Sequence, residues 1–168
     1  TEENTGTAID PNTMSIIVTK GSLDWAYPPF ILGTTAAAMG LEVTMFFTFY
    51  GLSLLKKDLN LKVTPLGNAA MEMPMAGGHM VMPNIVGMLP GVDAMASKMM
   101  KNLIKKNGVA SVDELRDLAV EADVRMIACQ MTLELFDYKR EDLIDDIEIG
   151  GAATYIEVAT QSHINLFI

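Results

Sequence analysis

Residues 30–50 read FILGTTAAAMGLEVTMFFTFY, and the pattern of this stretch decides the fold. Its first half is rich in alanine, which favours a helix, and Gly40 supplies a stop. Its second half, residues 41–50, is rich in aromatic and β-branched side chains, which favour a strand. Because the strand is apolar on both faces, it is typical of a buried strand in a parallel sheet.

The surrounding stretch from Tyr27 to Leu55 is also long enough to span a bilayer, and Glu42 is its only charged residue. A glycine break at Gly40 falls in the middle of that supposed span. We therefore predict a helix, a turn and a buried strand here, and no membrane span.

Short apolar strands alternate with amphipathic helices along the rest of the chain. Strands are expected at residues 14–19, 124–128, 147–149 and 165–168, and helices at 92–107, 111–122, 131–136 and 152–162. This alternation predicts an α/β fold, a three-layer sandwich with a mostly parallel sheet covered by helices on both faces. We expect residues 1–13 to be a flexible polar tail and residues 14–168 a single domain. Residues 64–91, rich in Met, Pro and Gly, are expected to form an excursion without regular structure.

Charge and cysteine content limit the possible functions. The chain has 168 residues, with 21 acidic against 12 basic side chains and a formal net charge of -9. This balance gives no electrostatic reason to bind nucleic acid or an anionic membrane surface. The single cysteine excludes an intrachain disulfide and a Cys-x-x-Cys redox pair, and it favours a reducing, cytoplasmic location.

Cys129 lies where a predicted strand ends and a helical turn begins. Backbone N–H groups and the helix dipole at such a position favour an anion and lower a thiol's pKa. The alternative interpretation is an inert, buried thiol, since free cysteines are among the most buried residues. Ligands of parallel sheets bind beyond the carboxyl ends of the strands. The residues there that are candidates for a pocket or lid around Cys129 are Lys20, Asp24, Tyr50, Gln130 and Met131, with His79 from the excursion.

Several separate motifs occur in a recognisable order. They are AAAMGLEV at residues 36–43, FFTFYG at 46–51, MPN at 82–84, LPG at 89–91, MIACQMT at 126–132, EDLIDD at 141–146, GGAATY at 150–155 and the terminal LFI. Together they resemble the DsrE/DsrF/DsrH-like family, in the branch also described as peroxiredoxin-like, over nearly the whole chain from Met14 on.

The resemblance implies an α/β sandwich that forms homo-oligomers and takes part in sulfur relay between partner proteins. Cys129 matches the family cysteine that carries a persulfide sulfur. One thiol is sufficient for this chemistry, because a thiolate can accept a sulfane sulfur and hand it to another thiolate. The expected partners are sulfur donor or acceptor proteins, and no cofactor is expected.

Nine of the fourteen methionines lie between Met71 and Met100, and this concentration needs its own interpretation. Thioethers suit Cu(I), so Met71, Met73, Met75 and His79 are candidate copper ligands. Methionine also fills adaptable contact surfaces, and we favour an oligomer interface or a mobile lid over Cys129, with no metal. His79 is either a base or hydrogen-bond partner for the cysteine or a solvated loop histidine.

Two functions therefore stand side by side at this point. The first is a sulfur-relay protein, sulfurtransferase-like if it is an enzyme, with Cys129 as the sulfur acceptor. The second is a noncatalytic oligomeric binding module that takes Cu(I) or a small ligand through the Met-rich loop.

Overall fold

The computed structural model describes residues 9–68, 70–75, 78–81 and 83–168. At residues 72–75, 78 and 79 it describes the backbone but not the side chains. Of the predicted tail, residues 1–8 lie outside the described residues, and residues 10–13 are not a tail, because they belong to the first strand, Asp10–Val18. The chain divides into two compact units. Among the described residues, the first unit comprises 9–21, 25–59 and 112–168, and the second comprises 22–24 and the described part of 60–111.

The described elements follow one another in the expected alternation. In chain order they are β1 (Asp10–Val18), α1 (Leu23–Ala38), β2 (Glu42–Phe47), a 3₁₀ helix (Phe49–Leu55), β3 (Glu72–Met75), β4 (Gly78–Val81), α2 (Asn84–Gly87), α3 (Val92–Lys106), α4 (Val112–Glu121), β5 (Arg125–Cys129), α5 (Gln130–Leu135), a second 3₁₀ helix (Arg140–Asp142), β6 (Glu148–Gly150), α6 (Ala152–Gln161) and β7 (Ser162–Phe167). Within the described ranges, no helix is long and apolar enough to cross a membrane.

A five-stranded parallel sheet forms the centre of the first unit, in the order β6-β5-β2-β1-β7. β2, the strand predicted from residues 41–50, lies in the middle, which explains why it is apolar on both faces. Phe46 stacks on Tyr155 of α6, with ring centroids 5.2 Å apart. Its neighbour Phe47 contacts Phe30 of α1 at 5.9 Å. Because successive strand residues point to opposite faces, α1 and α6 cover opposite faces of the sheet, as predicted.

The chain leaves β2 through the 3₁₀ helix, which lies directly against the end of β1. Gly51 shows how close this approach is, because a Cβ atom there would collide with the carbonyl oxygen of Val18 and lie 2.7 Å from its carbonyl carbon. Only glycine fits at this position. The close packing fixes where the segment after β2 lies relative to the carboxyl ends of the strands.

The second unit contains an antiparallel hairpin of β3 and β4, followed by α2 and α3. Ser97 of α3 accepts a hydrogen bond from the Val63 N–H at 3.0 Å and donates one to the Asp93 carbonyl at 2.6 Å. Lys62 pairs with the Asp93 carboxylate at 2.9 Å. These contacts attach the segment that contains Lys62 and Val63 to α3.

Two sequence predictions about local structure need correction. α1 begins at Leu23 and includes Pro28 and Pro29, whereas the pattern of residues 30–50 predicts a helix only from residue 30 on. Packing of the α1 face against the sheet outweighs the hydrogen bonds that two prolines remove. Residues 64–91 are not devoid of regular structure, because they include the β3–β4 hairpin and α2. A two-stranded hairpin tolerates Pro74 because an edge strand needs to pair on one side only.

Candidate functional site

Cys129 is the last residue of β5, and α5 begins with the next residue. In the sheet it pairs with Gly150 of β6, while the preceding Ala128 pairs with Phe47 of β2. The residue that follows β2, Thr48, therefore lies beside Cys129. The cysteine belongs to a buried cluster with Phe46, Ile127 and Tyr155, so its side chain lies on the α6 face of the sheet.

Four polar groups near the sulfur lower the pKa of the Cys129 thiol, although none of them makes a hydrogen bond of ordinary geometry to the sulfur. Two are backbone N–H groups of the first turn of α5, from Met131 and Thr132, and two are the hydroxyls of Thr48 and Thr132. The backbone donors are available because the first N–H groups of a helix have no partner within it. A thiolate is stabilised by groups of this kind, whereas a neutral thiol is a weak acceptor.

Burial and these polar groups act on the pKa of Cys129 in opposite directions. Burial raises the pKa, since it disfavours the charged form, but the polar groups of Thr132, Thr48 and Met131 lower it. The polar groups prevail, and the pKa of the Cys129 thiol lies below its ordinary value. The site therefore favours the nucleophilic form of the cysteine.

Thr132 connects the cysteine to the segment that follows β2. Its hydroxyl oxygen lies 3.2 Å from that of Thr48 and accepts the Phe49 N–H at 3.1 Å. The Thr132 side chain is fully buried. Phe49 itself has a φ of 48°, which lies in the left-handed region and is uncommon for a residue other than glycine. The bond to Thr132 thus holds Phe49 in a strained conformation.

An aromatic cluster extends from Phe49, the residue after Thr48, to the end of α5. Tyr50 stacks on Phe136 with centroids 5.8 Å apart, and Phe49 contacts the edge of Phe136 at 6.4 Å. Tyr138 meets Phe136 at 6.0 Å and carries the Lys56 ammonium over its ring at 4.2 Å. Phe49 and Tyr50 are exposed, so apolar surface lies close to the cysteine.

The structure brings together some of the predicted pocket residues. The Met131 backbone is among the groups that lower the pKa of the Cys129 thiol, and the Met131 side chain is exposed. Tyr50 lies in the adjoining aromatic cluster. Gln130 turns away and donates to the Glu134 carboxylate at 3.0 Å. Lys20 lies over the Trp25 ring, 3.3 Å from its centroid.

The remaining predicted residues belong to the second unit. Asp24 lies in the first turn of α1, and its Oδ1 atom is buried without a hydrogen-bond partner in the part of the chain that the structure describes. His79 lies in β4, but its side chain is outside the described residues, as are those of Met73 and Met75 in β3. Met71 is buried. The lid, the oligomer interface and the copper ligation stay predictions.

Among the described residues, no three His, Cys, Asp or Glu side chains converge in a way that could hold a metal ion.

The sequence interpretation missed Thr48 and Thr132. The available signal was the spacing of three residues between Cys129 and Thr132. A side chain at the third position of a helix can lie close to the residue that caps the helix.

Access to the sulfur is narrow, because Cys129 exposes only 4% of its surface. A reaction partner therefore reaches the sulfur only when neighbouring groups move apart locally. The site as a whole is a buried thiol with a lowered pKa and without a second cysteine in the chain. Such a site can perform nucleophilic attack on sulfur and can also act as a leaving group.

Fold and site together define a class of α/β proteins with a single thiol at the carboxyl end of a central strand. The sequence profile of the DsrE/DsrF/DrsH-like family matches residues 10–167. The chain belongs to this family, and the prediction made from its motifs is confirmed.

Two relatives extend over nearly the whole chain. It is similar to the sulfur carrier protein DsrE2 of Allochromatium vinosum, with 56% identity over 160 residues that cover 95% of this chain and 100% of the relative. It is also 33% identical to the uncharacterized protein YrkE of Bacillus subtilis, over 92% of this chain and 95% of that protein.

A solved structure confirms the fold. The crystal structure of the YchN protein from E. coli matches 93% of this chain and 99% of its own, with a TM-score of 0.53 and 10% identity. At that identity the likeness concerns the fold alone. It agrees with the predicted parallel sheet flanked by helices.

Proposed function

We propose that this protein is a sulfur carrier in which Cys129 holds a sulfane sulfur as a persulfide and passes it to an acceptor thiol. The family and the relative named as a sulfur carrier support the sulfur-relay role. The noncatalytic binding module is not favoured, because that relative matches along its full length.

One observation carries the assignment to Cys129. Cys129 ends β5 directly before α5 and beside Thr48 at the end of β2, and polar groups of Thr48, Met131 and Thr132 hold the pKa of its thiol below the ordinary value despite burial. A space-filling thiol in an apolar core has no need of such groups, and burial alone would keep it protonated. The chain offers no other thiol for the same chemistry.

Sulfur transfer to Cys129 requires no oxidant. The Cys129 thiolate attacks the outer sulfur of a donor persulfide, R–S–SH, and forms a new S–S bond. The S–S bond of the donor breaks, and R–S⁻ leaves with the electron pair. Cys129 now carries –S–SH.

Release repeats the same exchange with the roles reversed. The thiolate of an acceptor attacks the outer sulfur of Cys129–S–SH, the S–S bond to Cys129 breaks, and Cys129 leaves as a thiolate. The acceptor then carries the persulfide. Because donor and acceptor both contribute thiols, the expected partners are proteins or small molecules with accessible cysteine sulfur.

Loading can be tested by intact-protein mass spectrometry. The protein is incubated with glutathione persulfide, desalted and weighed, and a digest then locates the modification. We expect a gain of about 32 Da, one sulfur, confined to the peptide with Cys129. The matched variant Cys129→Ser, which keeps a similar size and polarity, should show no gain.

The opposite result would be a wild-type mass that stays unchanged although iodoacetamide alkylates Cys129 under the same conditions. In that case the thiol is accessible to a small reagent but does not accept sulfane sulfur, and the proposed function is wrong.

A further inference from the structure

A cavity of about 440 Å³ lies at the amino ends of β1, β2 and β5, beside the carboxyl end of α6. Its volume is typical of pockets that hold small molecules. β5 begins beside the cavity at Arg125 and ends at Cys129, so the length of the strand, about 13 Å, separates the cavity from the thiol. Binding in this cavity would therefore not depend on sulfur chemistry at Cys129.

Hydrogen bonds and the register of the sheet hold the walls of the cavity together. Thr13 of β1 donates to the Gln161 carbonyl at the end of α6, 3.1 Å away. In the sheet, Thr44 of β2 pairs with Arg125 of β5. Because side chains alternate along a strand, Thr44 lies on the same face as Phe46, whose ring stacks on α6. The Thr44 side chain thus lies between the sheet and α6, where it lines the cavity.

The hydroxyls that line the cavity differ in their hydrogen bonding. Those of Thr13 and Ser162 donate to backbone carbonyl oxygens at 2.7 and 2.9 Å. The Thr44 hydroxyl makes no hydrogen bond within the part of the chain that the structure describes, although Thr44 exposes only 8% of its surface. Buried polar groups in proteins normally have a partner. The Thr44 hydroxyl therefore indicates that the cavity takes a ligand with a polar group.

The charges around the cavity favour a cation as that ligand. Glu42 and Asp123 line the cavity, both are exposed, and neither forms an ion pair among the described residues. Arg125 also lines the cavity, but it donates to both carboxylate oxygens of Glu148, so its charge is already balanced. Two unpaired carboxylates attract an ammonium group and repel an anion.

We propose that this cavity binds a small organic cation, an aliphatic amine with a second polar end. The ammonium group pairs with Glu42 and Asp123 at the rim, and the other end bonds to the Thr44 hydroxyl inside. Apolar side chains in the lining, among them Leu41 and Val158, contact the carbon chain. The ligand is organic, because no three His, Cys, Asp or Glu side chains converge as metal ligands among the described residues.

Calorimetric titration of the full chain with a matched set of four-carbon compounds tests the proposal. Putrescine has an amine at both ends, aminobutanol an amine and a hydroxyl, butanediol two hydroxyls, and γ-aminobutyrate an amine and a carboxylate. We expect putrescine and aminobutanol to bind, one molecule per chain. Butanediol and γ-aminobutyrate should bind at least about tenfold more weakly, because the first lacks the cation and the second adds an anion.

Paired charge variants separate the cavity from the overall negative charge of the chain. Glu42→Gln combined with Asp123→Asn should weaken putrescine binding by about tenfold. Asparagine suits position 123, where φ is 55°, because it tolerates the left-handed region. Asp117→Asn combined with Glu141→Gln removes the same charge from exposed residues outside the cavity and should change the affinity by less than about twofold.

Thr44→Val tests the inner end of the site. The variant keeps the shape of the side chain but removes the hydroxyl, so it should weaken aminobutanol binding by about fivefold. It should not lower the free energy of unfolding of the unliganded protein, because the hydroxyl has no protein partner to lose. Thr44→Ser, which keeps the hydroxyl, should bind as the wild type does.

Several outcomes would overturn the proposal. One is the absence of binding by all four compounds, and another is equal binding of putrescine and butanediol. Equal loss in the two paired charge variants would show that the amine is only a general counterion. An unchanged affinity of folded Thr44→Val for aminobutanol would show that the amine stays at the surface and does not enter the cavity.

Discussion

The hydroxyl oxygens of Thr48 and Thr132 lie 3.2 Å apart, which joins the end of β2 to the first turn of α5 beside Cys129. Two parallel strands, β2 and β5, thus contribute to a single thiol site at their carboxyl ends. The relationship links the fold to the site, because Thr48 can lie beside Cys129 and Thr132 only if β2 and β5 are neighbours. It also leads to predictions for the site and for the elements around it.

Ionisation of Cys129 should make stability depend on pH. Because the pKa of Cys129 is lower in the folded protein, its contribution is fully present above the unfolded value of about 8.5 and is lost as the pH falls through the folded value. We expect the free energy of unfolding of the wild type, relative to Cys129→Ser, to rise from pH 6 to pH 9. Urea denaturation at several pH values measures this difference. A difference that is flat or falls with pH would contradict the lowered pKa.

Arg116 should be important for stability. Its guanidinium is buried and donates to the carbonyl oxygens of Leu54 at 3.0 Å and Lys56 at 2.6 Å, where the 3₁₀ helix ends. Arg116→Ala leaves these carbonyls without their donor, and we expect a loss of about 2–4 kcal/mol in the free energy of unfolding. The comparison is Lys57→Ala, which removes an exposed 3.8 Å pair with Asp145 and should cost under about 0.5 kcal/mol. Equal losses in the two variants would argue against a special role for Arg116.

The Arg125–Glu148 pair should contribute a modest, pH-dependent stabilisation. Arg125 donates to both carboxylate oxygens of Glu148, at 2.9 and 2.7 Å, and so connects β5 to the edge strand β6. The hydrogen bond from Arg125 lowers the pKa of Glu148, with burial opposing it. The contribution is therefore present above about pH 4.3, the ordinary value for glutamate, and is lost as the pH falls through the lower folded value.

Glu148→Gln is the variant that tests this pair. Both side chains are largely exposed, so the expected loss at pH 7 is no more than about 1 kcal/mol, and it should shrink toward pH 3. Thermal unfolding of the two proteins at each pH gives the comparison. A loss that grows in acid would show that the sign is wrong.

Gly51 should tolerate no side chain. A Cβ atom at Gly51 would collide with backbone atoms of Val18 in β1, which cannot move without disturbing the sheet. We expect Gly51→Ala to lower the free energy of unfolding by about 3 kcal/mol or more. Gly151→Ala is the matched control, because a Cβ there meets open space and should change stability by less than about 1 kcal/mol. Circular dichroism during urea denaturation measures both.

The sequence predicts the middle of the sheet well because the inner strands β2 and β5 are buried on both faces. β2 and β5 are continuous apolar runs between turn signals, and such runs have few other stable environments. The amphipathic pattern of residues 92–107 likewise predicts α3, which spans Val92–Lys106. Local rules were less informative at Pro28 and Pro29, where tertiary packing extends α1 through residues that normally end a helix.

The site was only partly predictable. The position of Cys129 at the end of a strand follows from the local sequence around it. The pairing of Thr48 with Thr132 joins residues 84 positions apart, and it exists only because β2 and β5 are adjacent in the sheet. A single sequence contains no local signal for such a contact. The hairpin at β3 and β4 was missed for a related reason, since prolines and glycines indicate a loop unless the pairing of the two strands is known.

The central claim is that Cys129 passes sulfane sulfur from a donor to an acceptor, and a single-turnover transfer experiment tests it most directly. The protein is loaded with ³⁴S-labelled glutathione persulfide, freed of donor, and mixed with a thiol acceptor while both masses are followed. We predict that the loaded protein returns to its original mass as the acceptor gains one labelled sulfur, and that Cys129→Ser transfers none. Label that never enters Cys129, or that enters but stays there in the presence of the acceptor, would contradict the account.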